Sequence, residues 1–337
     1  MKKYLSYLVL LFAALLAACG SNKGNGLKPI KFARVTHLCN ASMHIAVEKG
    51  FFEAEGLKPE EVQIDSGHVQ EAVGSGQLDI GMGLASKFLQ PIENGLPVRF
   101  VAGMHTGCIK VMTKKGNGIA SVKDLKGKKI GVPGLADATT YLLKRALLAQ
   151  GISVDEKNPE VEFVVFSRND LPQALQNGSV DVIALVDPVA TVTQEQYDLN
   201  TILDNGKTAP YSDEYCCVIF IAEKLAQENP EVAAAATRAL LKAAAWVQAH
   251  PEETVKIQVE KKYITGDPAF NARVLKSYNY QPSVKGGYKA LLDNAKAFAK
   301  IGLIKKDTDA KAFADKYFLF QKGVPDSYTA ADVANVK

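Results

Sequence analysis

Apolar and polar positions along the chain fall into two alternating blocks followed by a long helical stretch. Residues 30–36 (Ile-Lys-Phe-Ala-Arg-Val-Thr) alternate with the period of a half-buried strand. The pattern then predicts a helix over 43–52 closed by a turn at Gly56, a strand over 62–64 and a helix over 69–73. A third strand over 78–82, a helix over 87–93 and a fourth strand over 98–102 complete the first block. After the turn-rich Lys114-Lys115-Gly116-Asn117-Gly118 the alternation restarts. It gives strands at 128–132, 161–166 and 180–186, with helices at 139–150 and 170–176 between them. One more strand over 218–221 precedes helices predicted at 231–249, 252–263, 285–301 and 309–320, the first of them rich in alanine, the best helix former.

Strands alternating with helices of this length predict an α/β protein, each half a mostly parallel sheet flanked by helices. The second block is complete in itself, so the closing helices are expected to cover the first. That makes lobe 1 residues 28–108 with 218–337, and lobe 2 residues 109–217. Two chain crossings, near 106–112 and 213–219, would form a hinge around a closable cleft.

The first residues do not belong to this pattern. Lys2 and Lys3 precede an apolar run of roughly a dozen residues, short of the ~20 needed to span a bilayer, which reads as an export signal. Its end, Leu16-Ala17-Ala18-Cys19, resembles the lipobox of bacterial lipoproteins. The resemblance implies cleavage after residue 18 and lipid on Cys19, two or more acyl chains being what holds a protein stably at a membrane. The polar, glycine-rich residues 19–27 then read as a flexible tether. Losing Lys2 and Lys3 lowers the formal charge from +4 to +2, too little to predict a nucleic-acid partner. A hydrophobic fraction of 47% and a charged fraction of 23% exclude a disordered chain.

Several phrases resemble the transporter-associated solute-binding proteins for nitrate, sulfonate, taurine and thiamine precursors. They are Ala46-Val47-Glu48-Lys49-Gly50-Phe51-Phe52, Gly76-Gln77-Leu78-Asp79-Ile80-Gly81, Asn94-Gly95-Leu96-Pro97-Val98, Asp124-Leu125-Lys126-Gly127-Lys128-Lys129-Ile130-Gly131-Val132 and Leu175-Gln176-Asn177-Gly178-Ser179-Val180-Asp181. The resemblance implies a type II periplasmic-binding-protein fold and a monomer without a cofactor or catalytic activity. Such a protein works outside the cytoplasm, held to the bacterial membrane, and passes a small molecule to an ABC permease. The implied solute is a sulfonate- or nitrate-like anion, or a heterocycle like a thiamine precursor.

In sheets wound this way ligands bind beyond the carboxyl ends of the strands. That rule selects His37, Cys39 and Asn40 after the first strand, His68 after the second, Ser86 after the third, and His105 and Cys108 at the first crossing. In the second lobe it selects Asp137, Thr139, Thr140 and Asp187, and on the returning crossing Cys216 and Cys217. Asp137 to Thr140 open a predicted helix, where free amides suit an anionic oxygen, or where Asp137 or Thr139 simply caps the helix. Asp137 itself opposes an anion that approaches closely.

Apart from Cys19, every cysteine falls in these loops, and His37-x-Cys39 and His105-x-x-Cys108 pair imidazole with thiol. Three readings stand side by side: buried thiols, a Cys39–Cys108 disulfide, or soft contacts to a ligand or metal. Adjacent Cys216 and Cys217 do not suit a bridge, since neighbouring Cα atoms sit about 3.8 Å apart, under the usual ~4.4 Å. Tyr215-Cys216-Cys217-Val218 is also similar to the cysteine-rich motif of the eukaryotic thiamine pyrimidine synthase. That resemblance implies a rival class, an extracytoplasmic metal-binding or single-turnover enzyme using a His/Cys cluster.

Overall fold

Ten strands form the framework in a computed structural model that describes residues 26–335. The expected signal peptide, Cys19 and most of the tether lie outside the described residues. β1 (Lys28–Ala33) pairs in parallel with β2 (Leu57–Val62). β3 (Ile80–Leu84) and β4 (Val98–Thr106) lie on either side of β10 (Tyr215–Ala222), antiparallel to it. A third, five-stranded sheet has the order β7-β6-β8-β5-β9. Its strands are β5 (Ile109–Thr113), β6 (Lys129–Val132), β7 (Glu162–Val165), β8 (Val182–Val186) and β9 (Asn200–Asp204). β6 runs parallel to β7 and β8, while β5 is antiparallel to β8 and β9.

The fold is therefore the two-lobed α/β architecture predicted, with sheets more mixed than mostly parallel. The antiparallel pairings all involve β5 or β10, the strands that begin just after the chain has passed from one sheet to the other. Local boundaries also differ. The second strand begins at Leu57 because it follows the turn at Gly56 directly, and 43–52 divides into helices Ala41–Glu48 and Phe51–Ala54 around Lys49-Gly50. β9 and the helices Val189–Gln196 and Pro268–Ser277 were not predicted, each being short and only partly apolar.

The C-terminal helices pack on elements of the first block. Pro230–Ala249 packs on the helices Ala41–Glu48 and Phe51–Ala54, its alanines letting the backbones approach and its Trp246 fully enclosed. The helix Val284–Ile301, capped by Ser283 on the Gly286 amide at 2.8 Å, crosses β4. Gly103 and Ser283 exchange backbone hydrogen bonds of 2.8 and 3.0 Å, so the outer edge of β4 is covered rather than open. Among the described residues, no helix is long and apolar enough to cross a membrane.

The chain passes between the sheets at Gly107-Cys108 and again over residues 205–214. The two passages touch: Gly107, at φ +75°, lies so near Gly206 that an added Cβ would stand 3.0 Å from the Gly206 Cα. Only glycine satisfies both the backbone angle and that spacing.

Candidate functional site

A cleft of about 350 Å³ opens between the lobes beyond the ends of β1, β3 and β8. Lobe 1 contributes His37, Cys39, Asn40, Gln70, Lys87 and Phe88, and the returning strand β10, at the boundary between the lobes, adds Cys217 and Phe220. Lobe 2 contributes Arg168, Asp187 and Val189. Five of the residues predicted from sequence therefore face one space: His37, Cys39, Asn40, Asp187 and Cys217.

The β1 loop turns at Leu38–Asn40, a single 3-10 turn, which sets Asn40 inward and buried while His37 stands exposed at the cleft mouth. Partial desolvation at the cleft mouth lowers the His37 pKa, and the positive charges of Arg168 and Lys87 push it the same way. Asp187 is buried at the end of β8, where its Oδ1 accepts from the Thr191 amide at 2.9 Å and hydroxyl at 2.6 Å. Burial raises its pKa, and Lys110, 3.8 Å away, works against that rise. Phe88 and Phe220 form an apolar wall, their ring centroids 4.3 Å apart.

The remaining predicted residues sit elsewhere. His68 is exposed and only its neighbours Val69 and Gln70 reach the cleft. Ser86 and Cys216 line a separate, much smaller cavity with Arg145 and Glu214. Asp137, Thr139 and Thr140 are buried and committed to their own loop. Asp137 Oδ1 accepts from the amide and hydroxyl of Thr139, at 3.0 and 2.8 Å, and Thr140 donates to the Gly134 carbonyl at 2.6 Å. This helix start is thus capped from within, as the plainer of the two sequence readings has it. The other oxygen of Asp137 stands 3.4 Å from Arg168, a half-exposed guanidinium on the cleft wall.

Sequence reasoning passed over the cations and the aromatic wall. Arg168 was visible in the loop after the strand at 161–166, and Lys87 stands one residue past Ser86. Phe88 and Phe220 carried no signal, because an aromatic in a helix or strand reads as core.

His105 and Cys108 lie behind the cleft floor, buried, with Cys216 and Cys217 beside them. Cys39, Cys108, Cys216 and Cys217 are free thiols, so the Cys39–Cys108 disulfide is not formed. Breaks in the β10–β4 register on either side of Cys217 release successive residues from the strict alternation of a strand. Both neighbouring sulfurs consequently reach one cluster with Cys108. Hydrogen bonding to Cys217 and burial raise the Cys39 pKa; burial above all raises that of Cys216.

The family model described as NMT1/THI5 like matches residues 40–254, a span that runs from before β2 to beyond β10. The chain belongs to the NMT1/THI5-like family. Its relatives include a Bacillus subtilis (strain 168) protein named for aliphatic sulfonates binding, 27% identical over 78% of this chain and 79% of that one. Another is the 4-amino-5-hydroxymethyl-2-methylpyrimidine phosphate synthase of Aspergillus parasiticus, 24% identical over 72% of each chain. Among solved structures, the periplasmic aliphatic sulphonate binding protein SsuA of Escherichia coli superposes with a TM-score of 0.71 at 17% identity, over 89% of this chain and 94% of that one. The fold of this NMT1/THI5-like protein is accordingly that of the periplasmic binding proteins.

Proposed function

We propose that this protein is the extracytoplasmic solute-binding component of an ABC importer, held to the bacterial membrane by lipid on Cys19 after loss of residues 1–18. Lobe 1 (28–108 with 218–337) and lobe 2 (109–217) close on a small molecule, which is then passed to a membrane permease. The single observation behind this reading is the cleft of about 350 Å³, lined from both lobes and of the size that takes a small ligand. Bound solute contacts both walls at once, and that differential affinity is what favours the closed form.

The wall chemistry fits an organic solute with an anionic group. Lys87 and Arg168 offer charge from opposite lobes, Phe88 and Phe220 an apolar surface, and Asn40 and Gln70 amides for orientation. Arg168 reaches Asp137 across only a long 3.4 Å contact, so an incoming sulfonate or carboxylate competes with Asp137 for it. A sulfonate-like solute agrees with the names of the Bacillus and Escherichia relatives. A thiamine-precursor-like heterocycle agrees with that of the Aspergillus relative.

Calorimetric titration with an alkanesulfonate, nitrate and an aminopyrimidine tests the proposal, alongside native mass spectrometry for a co-purified solute. One of these is expected to bind at one site per chain, with anion affinity about ten-fold weaker in Arg168→Ala, the loss of one charge-assisted contact. A protein that carries no solute and binds none of the three overturns it. The rival enzymatic reading draws on the His/Cys cluster beside the cleft and on the Aspergillus synthase. Recovery of the bound solute chemically unchanged supports transport; a converted product supports the enzyme.

A further inference from the structure

Four thiols and an imidazole meet behind the cleft floor in two overlapping sets. A ring nitrogen of His105 and the sulfurs of Cys39 and Cys217 lie within 4.8 Å of one another. The sulfurs of Cys108, Cys216 and Cys217 form the second set, of the same width.

The two sets differ in what their atoms already bond. In the second, the Cys108 and Cys216 sulfurs are 3.3 Å apart, and the Cys216 thiol donates to the Gly107 carbonyl at 2.9 Å. In the first, the Cys39 sulfur has only a long 3.7 Å contact to the Asn40 Oδ1, and His105 is fully buried: its Nδ1 lies 3.2 Å from the Thr106 carbonyl and 3.7 Å from the Cys216 sulfur, while its Nε2 has no partner. The ring is held between Tyr278 and Tyr280, with centroid distances of 5.2 and 4.7 Å. A buried polar nitrogen without a partner costs about 1–3 kcal/mol, so a fixed orphan next to two free thiols marks a place for a ligand. Cys39 and Cys217 also line the cleft, which gives this set a path from solvent.

We propose that Cys39, His105 and Cys217 bind one thiophilic d10 metal ion, Cu(I) or Zn(II), at the floor of the cleft. Two thiolate sulfurs and one imidazole nitrogen are soft to borderline donors, and no carboxylate belongs to the set. Among the described residues three donors converge and not four. Cu(I) is satisfied by three such donors, whereas Zn(II) takes its fourth from a water or solute in the cleft. Binding breaks two S–H bonds and releases two protons per ion. The product is neutral with Zn(II) and carries one negative charge with Cu(I), which Lys87 and Arg168 on the cleft walls offset. This inference is independent of the solute assigned above, because the metal is measured alone.

The reduced, purified protein is titrated with Zn(II) alone, and separately with Cu(I) buffered by a Cu(I) chelator of known affinity. The expected result is one ion of either metal per chain, with two protons released. Affinity should fall more than about 100-fold in Cys217→Ser and in Cys39→Ser, beyond the usual cost of losing an outer-shell partner. Cys216→Ser, which touches the set only through the His105 Nδ1 at 3.7 Å and keeps a polar group there, should lose no more than about ten-fold. Thermal melts report whether each variant folds. Should Cys217→Ser fail to fold, Cys39→Ser on the half-buried cleft wall carries the comparison. Absence of stoichiometric binding by either metal overturns the proposal, as does loss in Cys216→Ser equal to that in Cys217→Ser.

Discussion

The side-chain oxygen of Asn205 accepts hydrogen bonds from the amides of both Cys108 and Ile109, at 2.9 and 2.7 Å. It thereby ties one passage of the chain between the sheets to the other. The tie matters because Cys108 holds φ at +142°, a backbone conformation that costs a non-glycine residue about 1–3 kcal/mol. Replacing Asn205 by leucine keeps the volume and removes the acceptor, leaving two buried amides unpaired. The expected loss is at least about 2 kcal/mol, read as a lower urea midpoint at constant slope. An unchanged midpoint would mean the amides find other acceptors.

His44 gives a pH signature. Its Nε2 donates to the Val35 carbonyl at 2.8 Å, its Nδ1 accepts from Gln258 at 2.9 Å, and the ring stacks on Tyr263 with centroids 4.0 Å apart. Burial holds its pKa down to about 3, so the folded protein excludes a proton that the unfolded chain takes up near 6.5. The stability is complete above pH 6.5 and falls on acidification towards pH 3, by on the order of 1 kcal/mol per pH unit. Chemical unfolding of His44→Gln between pH 7 and 4 should show a shallower slope than the unaltered protein. Parallel slopes would remove His44 from the account.

Gly287 sets two effects against each other. In an open helix, alanine would gain about 1 kcal/mol over glycine. Here a Cβ would stand 2.3 Å from the Gly103 nitrogen and 2.5 Å from the Ala102 carbonyl carbon, both backbone atoms of β4. Neither can yield cheaply, so the clash wins, and Gly287→Ala should destabilise by about 1–3 kcal/mol. A raised melting temperature would show that the helix Val284–Ile301 can slide off the sheet.

Arg273, on the helix Pro268–Ser277, pairs through its two terminal guanidinium nitrogens with Glu195, on the helix Val189–Gln196 across the cleft. Both side chains are largely exposed, so the pair adds little to folding, and under the closure proposed above it would favour the closed cleft. Arg273→Ala should weaken solute binding by up to about five-fold at low salt, with the difference vanishing at high salt. A loss that salt leaves untouched would assign Arg273 to packing instead.

Fold class was legible in the sequence because it rests on periodicity, which a chain displays locally. Val182–Val186 and Lys129–Val132 announce themselves as strands wherever they end up. The direction of β5 and β10 was not legible, since pairing sense depends on partners distant in sequence. The rule that ligands lie beyond strand ends found His37, Asn40 and Asp187. It also selected Asp137, Thr139 and Thr140, which cap their own helix and do not line the cleft, Asp137 meeting its wall through Arg168. It could not see Phe88 or Phe220, because a residue buried in the core and one buried at a cleft wall have the same sequence signature. The meeting of Cys216 with Cys217 depends on the irregular register around them, which no alternation pattern contains.

The order β3-β10-β4 also sets a timetable. β3 and β4 are made early, yet neither can find its neighbour until residues 215–222 arrive to lie between them. The five strands of the other sheet form an unbroken stretch from Ile109 to Asp204 and need wait for nothing. On a chain threaded out amino end first, the middle of the molecule can fold while its beginning is still waiting for its end.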